Sequence, residues 1–272
     1  MGHQSQTSSR LNSGIDATVA MAEQENFTSS ADIFLQDEVS RLGSSPGLRS
    51  LPPNPTRDFL LLTWGPIVYR TFYAPDTKQL LQAFLRCLND AVSRSLRQTL
   101  SGSEEQLHLL ETTYASRVFS TKSRYDGINE EKVREAFHDY KVSLAIPAAD
   151  LPSRLRVCLM VDKAVLSQFR GMLSKSGKLK KDADLGRSWV KLVEENFPDG
   201  RFGDRPYVAT VERDESDGVG DYRNNRGEYH GWTMVALLAL VEVLDGLRQM
   251  KYLVEYHREG RVYMGEGKWS SG

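Results

Sequence analysis

The chain has 272 residues, 40% of them hydrophobic, with 35 basic and 36 acidic side chains and a formal net charge of -1. That length and apolar content suffice for one domain of about 210 residues behind an N-terminal tail. The near-neutral balance argues against a nucleic-acid binder, which carries a basic excess, and the longest apolar run, residues 234–241, is too short to span a bilayer.

Residues 1–55 are rich in Ser, Gln, Asn and Pro and read as a disordered tail and linker. Within them Ile33, Phe34, Val39 and Leu42 have roughly helical spacing, so a short helix over 31–42 is expected, docked on the domain or offered to a partner. Residues 44–55, SSPGLRSLPPNP, read as the linker. Nothing at the start combines a charged stretch with an apolar core, so no secretory signal is expected, and the location that follows is cytoplasmic.

Residues 56–272 read as a single α+β domain organised around 59–100. An apolar run, Phe59 to Leu62, is followed by Gly65-Pro66 and then by β-branched and aromatic residues. These predict a strand over 67–73, with Ile67, Tyr69, Thr71 and Tyr73 on one face and Val68, Arg70 and Phe72 on the other. Pro75 stops it, Asp76 is the expected N-cap with Gln79 in the capping-box position, and Leu80, Leu81, Phe84, Leu85, Leu88, Ala91, Val92 and Leu96 form a helical stripe.

Further on, Ser103 with Gln106 predicts a capped short helix, 114–120 a strand, Asp126-Gly127 a turn, and Asn129 the cap of a helix over 130–140. Residues 155–161 read as a central strand. Asp162 and a short helix follow, then a basic loop, 174–181. Residues 188–197 predict a strand that sets Trp189, Lys191 and Val193 against Val190, Leu192 and Glu194. After a turn at 198–200, a strand at 207–213 would complete a hairpin, and 214–231 would be a long polar loop. The stripe Met234, Leu237, Leu238, Val241, Leu244, Leu247 predicts a last helix over 232–250, and Glu259-Gly260 predicts a closing hairpin within 252–269. The expected architecture is a mixed, largely antiparallel sheet packed by amphipathic helices.

The segment WGPIVYRTFYAPD, with Trp64, Gly65, Pro66, Tyr69, Arg70, Thr71, Tyr73 and Asp76 as the matching positions, resembles the opening of a family of uncharacterised fungal proteins. CLMVD at 158–162 and GWTMV at 231–235 are similar to further blocks of that family, so the resemblance covers roughly residues 56–250. It implies no established activity and no catalytic assignment.

Candidate chemistry is sparse. The segment 171–179 superficially resembles a phosphate loop, but it has one residue too many between its glycines and Leu179 stands where Ser or Thr must meet magnesium. The acidic stretch 212–221 fails the calcium-loop register, and Gly218-Val219-Gly220 lacks the third glycine of a dinucleotide fingerprint. Cys87 and Cys158 read as buried small hydrophobes, and the histidines have no metal spacing, so no cofactor or metal is expected.

Three residues remain as weak catalytic candidates. Asp162 ends a central strand, where open α/β sheets bind ligands, or else caps the next helix. Arg70 among apolar strand neighbours needs a carboxylate, Asp162 or an acid of the last helix, or serves an anion. His230, beside Glu228 and Tyr229, is a candidate general base with no visible nucleophile. The expected function is a soluble, intracellular, non-catalytic protein that binds a protein or small-molecule ligand, with no nucleic-acid or membrane partner. The alternative is an enzyme of unrecognised type, or an accessory protein in fungal metabolism, with a pocket near Arg70, Asp162 and His230.

Overall fold

A computed structural model describes residues 28–40, 52, 54–146, 151–172, 185–195 and 229–270. The basic loop 174–181, the turn at 198–200, the strand at 207–213, the acidic stretch 212–221 and most of the 44–55 linker lie outside the described residues.

The described strands form one mixed seven-stranded sheet in the order β2-β1-β3-β4-β5-β6-β7. They are β1 (Ile67–Arg70), β2 (Arg117–Phe119), β3 (Val157–Val161), β4 (Trp189–Glu194), β5 (Trp232–Ala236), β6 (Val262–Gly265) and β7 (Lys268–Trp269). β1 pairs parallel with β2 and β3, β5 pairs parallel with β6, and the other neighbours run antiparallel. The described α-helices are α1 (Ser30–Leu35), α2 (Pro55–Leu62), α3 (Thr77–Thr99), α4 (Glu104–Thr113), α5 (Lys122–Tyr125), α6 (Glu130–Leu144), α7 (Lys163–Arg170) and α8 (Leu240–Arg248).

The sheet separates two cores. On one face Val68, Leu159, Val190, Leu192 and Val235 meet the buried stripes of α3, α7 and α8. On the other, Ile67, Tyr69, Cys158, Met160 and Val193 meet α6 and Leu60 of α2. The alternation expected for β1 is present: Phe72 packs on the first core and Tyr73 on the second, although the paired strand ends at Arg70. All residues of β1 and β3 are buried, as strands covered on both faces must be.

Local chemistry explains most boundaries. The apolar run at 59–62 is the end of α2, which begins with Asn54 as cap and Pro55 as first helical residue; the Asn54 carboxamide oxygen accepts from Arg57 N at 3.1 Å. Gly65 has φ +144°, and a Cβ there would stand 2.6 Å from the Ala115 carbonyl oxygen, so no side chain fits. That close approach lets Trp64 bridge to Tyr114 and bury its indole, whose Nε1 donates to Leu110 O at 2.7 Å. Ser103 and Gln106 form the expected capping box on α4, and Asn129 caps α6.

Several expectations are corrected. Asp76 precedes α3 with helical backbone and no side-chain cap; its carboxylate pairs with Arg170 at 2.7 Å. The Thr77 hydroxyl braces the turn before the helix, accepting from Ala74 N at 2.9 Å and donating to Ala74 O at 2.6 Å. Residues 232–236 are strand β5, not the start of the last helix. Their apolar spacing fits either period, and pairing with β4 on one side and β6 on the other decides it. The closing hairpin turns at Glu266-Gly267, both with positive φ, rather than at Glu259-Gly260, and Leu253–Tyr256 is a 3-10 turn. The Glu242 carboxylate holds that hairpin by accepting from Glu266 N at 3.0 Å and from the Tyr263 hydroxyl.

Part of the N-terminal segment belongs to the domain. Residues 30–40 form α1 and a π-helical turn, Gln36–Ser40, so the short helix expected over 31–42 is present through Ser40 and packs on the domain, while residues 41 and 42 lie outside the described residues. Ala31 and Phe34 are buried, with the Phe34 ring edge-on to Trp64 at 5.0 Å.

Phe84 is fully buried and meets Phe169 edge-on at 5.6 Å. Phe84→Ala is expected to cost about 3–5 kcal/mol, against about 0.5 kcal/mol or less for Phe59→Ala at a partly exposed position. Urea denaturation of both variants checks the contrast.

Candidate functional site

The helices of the two crossovers lie on opposite faces. The chain passes from β1 to its neighbour β2 through α3, and from β2 to β3, on the other side of β1, through α6. The carboxyl ends of β1 and β3 therefore flank a topological switch point, the place where open α/β sheets leave a crevice for ligands. Arg70 pairs with Val161 in register, so Arg70 and Asp162 sit at adjacent strand ends.

The sheet nevertheless keeps their side chains apart. Arg70 turns to the α3 face, where Nη2 donates to the Thr77 hydroxyl at 2.6 Å and Nε donates to Phe72 O at 3.1 Å. Its guanidinium also lies 4.1 Å from the centre of the Tyr73 ring. The expected ion pair with Asp162 or an acid of the last helix is absent, because a hydroxyl and a carbonyl on its own side lie closer.

Asp162 caps α7, accepting from Val165 N at 2.9 Å, and its other oxygen meets Lys191 Nζ at 2.8 Å. Lys191 also meets Glu130 at 2.6 Å, at the start of α6, and lies over the Trp232 ring at 4.7 Å. Burial works against its charge, but the two carboxylates prevail and hold its pKa above the usual lysine value. It is therefore kept as an ammonium and is not a neutral base or nucleophile.

His230 stands at the other end of the strands. Trp232 pairs with Val193, which pairs with Cys158 near the start of β3, four residues from Asp162. That is roughly 13 Å along the strand. His230 is exposed, and its carbonyl accepts from Arg134 Nη2 at 3.1 Å. Tyr229 is buried with its hydroxyl on Glu194, while Glu228 lies outside the described residues. The structure thus brings Arg70 and Asp162 to neighbouring strand ends, with their side chains on opposite faces of the sheet, and leaves His230 at the other end.

A second polar group surrounds the end of β4. Glu194 is 5% exposed, and its carboxylate accepts from the Tyr229 hydroxyl at 2.7 Å. Burial raises its pKa above the usual carboxylate value, against the hydrogen bond from Tyr229 and the charges of Arg156 and Arg134. Next to it Glu195 meets His138 Nδ1 at 2.9 Å and also Lys141. Sequence reasoning did not single out Glu194, although the alternation with Val190 and Leu192 already placed it on a core-facing row.

A small open cleft of about 290 Å³ lies between α3 and α4, lined by Asn89, Asp90, Ser93, Glu111 and Tyr114 over Val92 and Leu96. Arg97, with help from Ser93, holds the Glu111 carboxyl below its usual pKa. Burial raises Cys87 to about 11 and pushes Cys158 higher still, so both thiols stay protonated at neutral pH. Among the described residues no group of three or more His, Cys, Asp or Glu side chains is placed to hold a metal ion. Among the same residues no helix is long and apolar enough to cross a membrane.

Comparison with known proteins finds no match: no protein-family model, no curated protein and no solved structure is similar to the chain.

Asp162→Asn keeps an N-capping side chain and leaves Lys191 with Glu130, so a cost under about 1 kcal/mol is expected. Asp162→Ala loses the cap as well and should cost about 1 kcal/mol more; thermal melts of the two separate cap from ion pair. Glu194 also makes a pH prediction. Its native pKa lies above the ordinary 4.5, so between those two values the folded state binds more proton and stability falls as pH rises. In Glu194→Gln the loss of stability between about pH 5 and about pH 8 should be smaller than in the wild type. An equal loss in urea titrations at both pH values would assign the linkage to another group.

Proposed function

We propose that the chain is a soluble, intracellular, non-catalytic binding protein whose ligand is a protein or a small molecule. One observation carries the reading: the side chains with acid–base or anion-binding potential are committed to local structure rather than converging on a shared point. Asp162 divides its oxygens between a helix cap and Lys191, and Arg70 is held by Thr77 and Phe72 O. His230 stands beyond the opposite strand ends. An enzyme needs the reverse, polar groups converging with perturbed proton affinities in a concave site.

A second reading, an enzyme or an accessory protein in fungal metabolism, is favoured by the switch point itself. Arg70 and Asp162 end neighbouring parallel strands there, and a small anionic substrate would reach both from outside the sheet. The resemblance of the WGPIVYRTFYAPD segment to fungal proteins fits either reading.

A thermal-shift screen of the full chain against metabolites, nucleotides and metal ions separates the two. A ligand at a hundredfold excess over its Kd raises stability by about 2.7 kcal/mol. The binding reading expects a shift with no product formed. Chemical turnover of any shifting compound, abolished in Arg70→Ala, would overturn it in favour of the crevice as an active site.

A further inference from the structure

The cleft between α3 and α4 joins an apolar floor to acidic walls. The floor is Val92 and Leu96, one turn apart on α3, with Tyr114 just past the end of α4. The Tyr114 hydroxyl already has Ser116 Oγ at 3.1 Å, so the ring is what this residue offers to the cleft. An edge-on contact with Trp64, 4.9 Å between ring centres, holds that ring in place.

The acidic groups come from both helices. Glu111 on α4 is half-buried, and its Oε1 accepts from Ser93 Oγ at 2.9 Å and from Arg97 Nε at 3.1 Å. Those bonds fix the carboxylate and keep it ionised at neutral pH. Arg97 is also drawn toward Glu104, outside the cleft, at 2.7 Å. Asp90 on α3 is exposed, lines the cleft, and has no hydrogen bond or ion pair among the described residues. Arg86 and Arg94 stand one turn to either side of it on the same helix, yet neither lines the cleft. Two carboxylates thus line the cleft, and the guanidinium beside them is shared with a third.

A ligand that matches these walls brings positive charge, N–H donors and apolar surface together. An anion would meet Asp90 unscreened, and a polyol would leave the apolar floor uncovered. A bare metal ion finds too few ligands, since among the described residues no group of three or more His, Cys, Asp or Glu side chains is placed to hold one. We propose that this cleft binds a small organic ammonium ion with an apolar body, the ammonium meeting Asp90 and Glu111 and the body lying on Val92, Leu96 and the Tyr114 ring. The Tyr114 ring adds the attraction of an aromatic face for a cation. The cleft volume of about 290 Å³ stands at the small end of ligand sites, so the body is a single ring or a short branched chain. The proposal names a ligand class for the small-molecule form of the binding-protein reading and rests on that reading.

The test titrates benzylammonium into the isotopically labelled full chain and follows amide shifts, with benzyl alcohol as the neutral probe of the same shape. Benzylammonium should give saturable shifts centred on residues 89–96 and 111–114, and benzyl alcohol should bind at least about tenfold more weakly. Asp90→Asn should weaken benzylammonium about three- to fivefold, and Asp90→Asn/Glu111→Gln about tenfold or more. Both side chains are exposed or half-buried, so these variants should fold. Ser93→Leu, which fills the cleft and leaves its charges in place, should lose benzylammonium. Equal affinity for the two probes, an unchanged Kd in the double variant, or shifts centred elsewhere overturns the proposal. Absence of saturation up to about 10 mM benzylammonium also overturns it. Failure of amine binding leaves the binding-protein reading to the ligand screen, and turnover in that screen, lost in Arg70→Ala, would reject that reading without any change at the cleft.

Discussion

Burying both faces of β1 obliges the chain on either side of it to supply a helical layer to each face. α3 does so on one side and α6 on the other, and their routes in opposite directions across the sheet create the switch point between β1 and β3. The same burial dictates what happens to the polar residues at the strand ends. Arg70 and Asp162 leave the sheet on opposite faces, so each must be satisfied by its own layer: Arg70 by the start of α3, Asp162 by α7 and by Lys191. A crevice geometry familiar from ligand-binding sheets is thereby filled with structural bonds.

Charge is buried elsewhere instead. Glu38 with Arg154 sits under the N-terminal segment, and Glu194 with Tyr229 sits at the far end of β4. Burial raises the proton affinity of both carboxyls, and both are braced by hydrogen bonds that favour the ionised form. Such arrangements add little net stability compared with an apolar replacement, but they penalise any alternative packing that leaves one partner buried alone. Arg154 shows the point: its guanidinium ties α2 through Leu60 O and Thr63 O while facing Glu38, so one side chain aligns the N-terminal segment, α2 and the approach to β3.

Much of the fold was legible locally. The stripe of α3, the caps at Ser103 and Asn129, the face alternation of β1 and β4, and the capping role of Asp162 all follow from spacing and side-chain chemistry within a few residues. Asp76 shows the limit of such reasoning, since an acceptable cap residue makes no side-chain cap bond and pairs instead with Arg170, far away in sequence. The candidate site was legible as residue types but not as an arrangement: nothing local says that β5 runs antiparallel to β4 and so parallel to β3, which leaves His230, just before β5, at the opposite strand end from Asp162.

The sequence by itself determined the class of object: an α+β chain of mixed sheet and amphipathic helices, with buried thiols and no recognisable catalytic motif, because periodicity and capping act over one or two turns of chain. The tertiary structure alone decided that 232–236 is a strand and that residues 30–40 belong to the domain. It also decided that the candidate acid, arginine and histidine are separated by the sheet. The reason is common to all three. Each depends on a partner distant in sequence, β4 and β6 for β5, Trp64 and Arg154 for the N-terminal segment, and the strand order for the site, and the free energy of those pairings is not written in any local window.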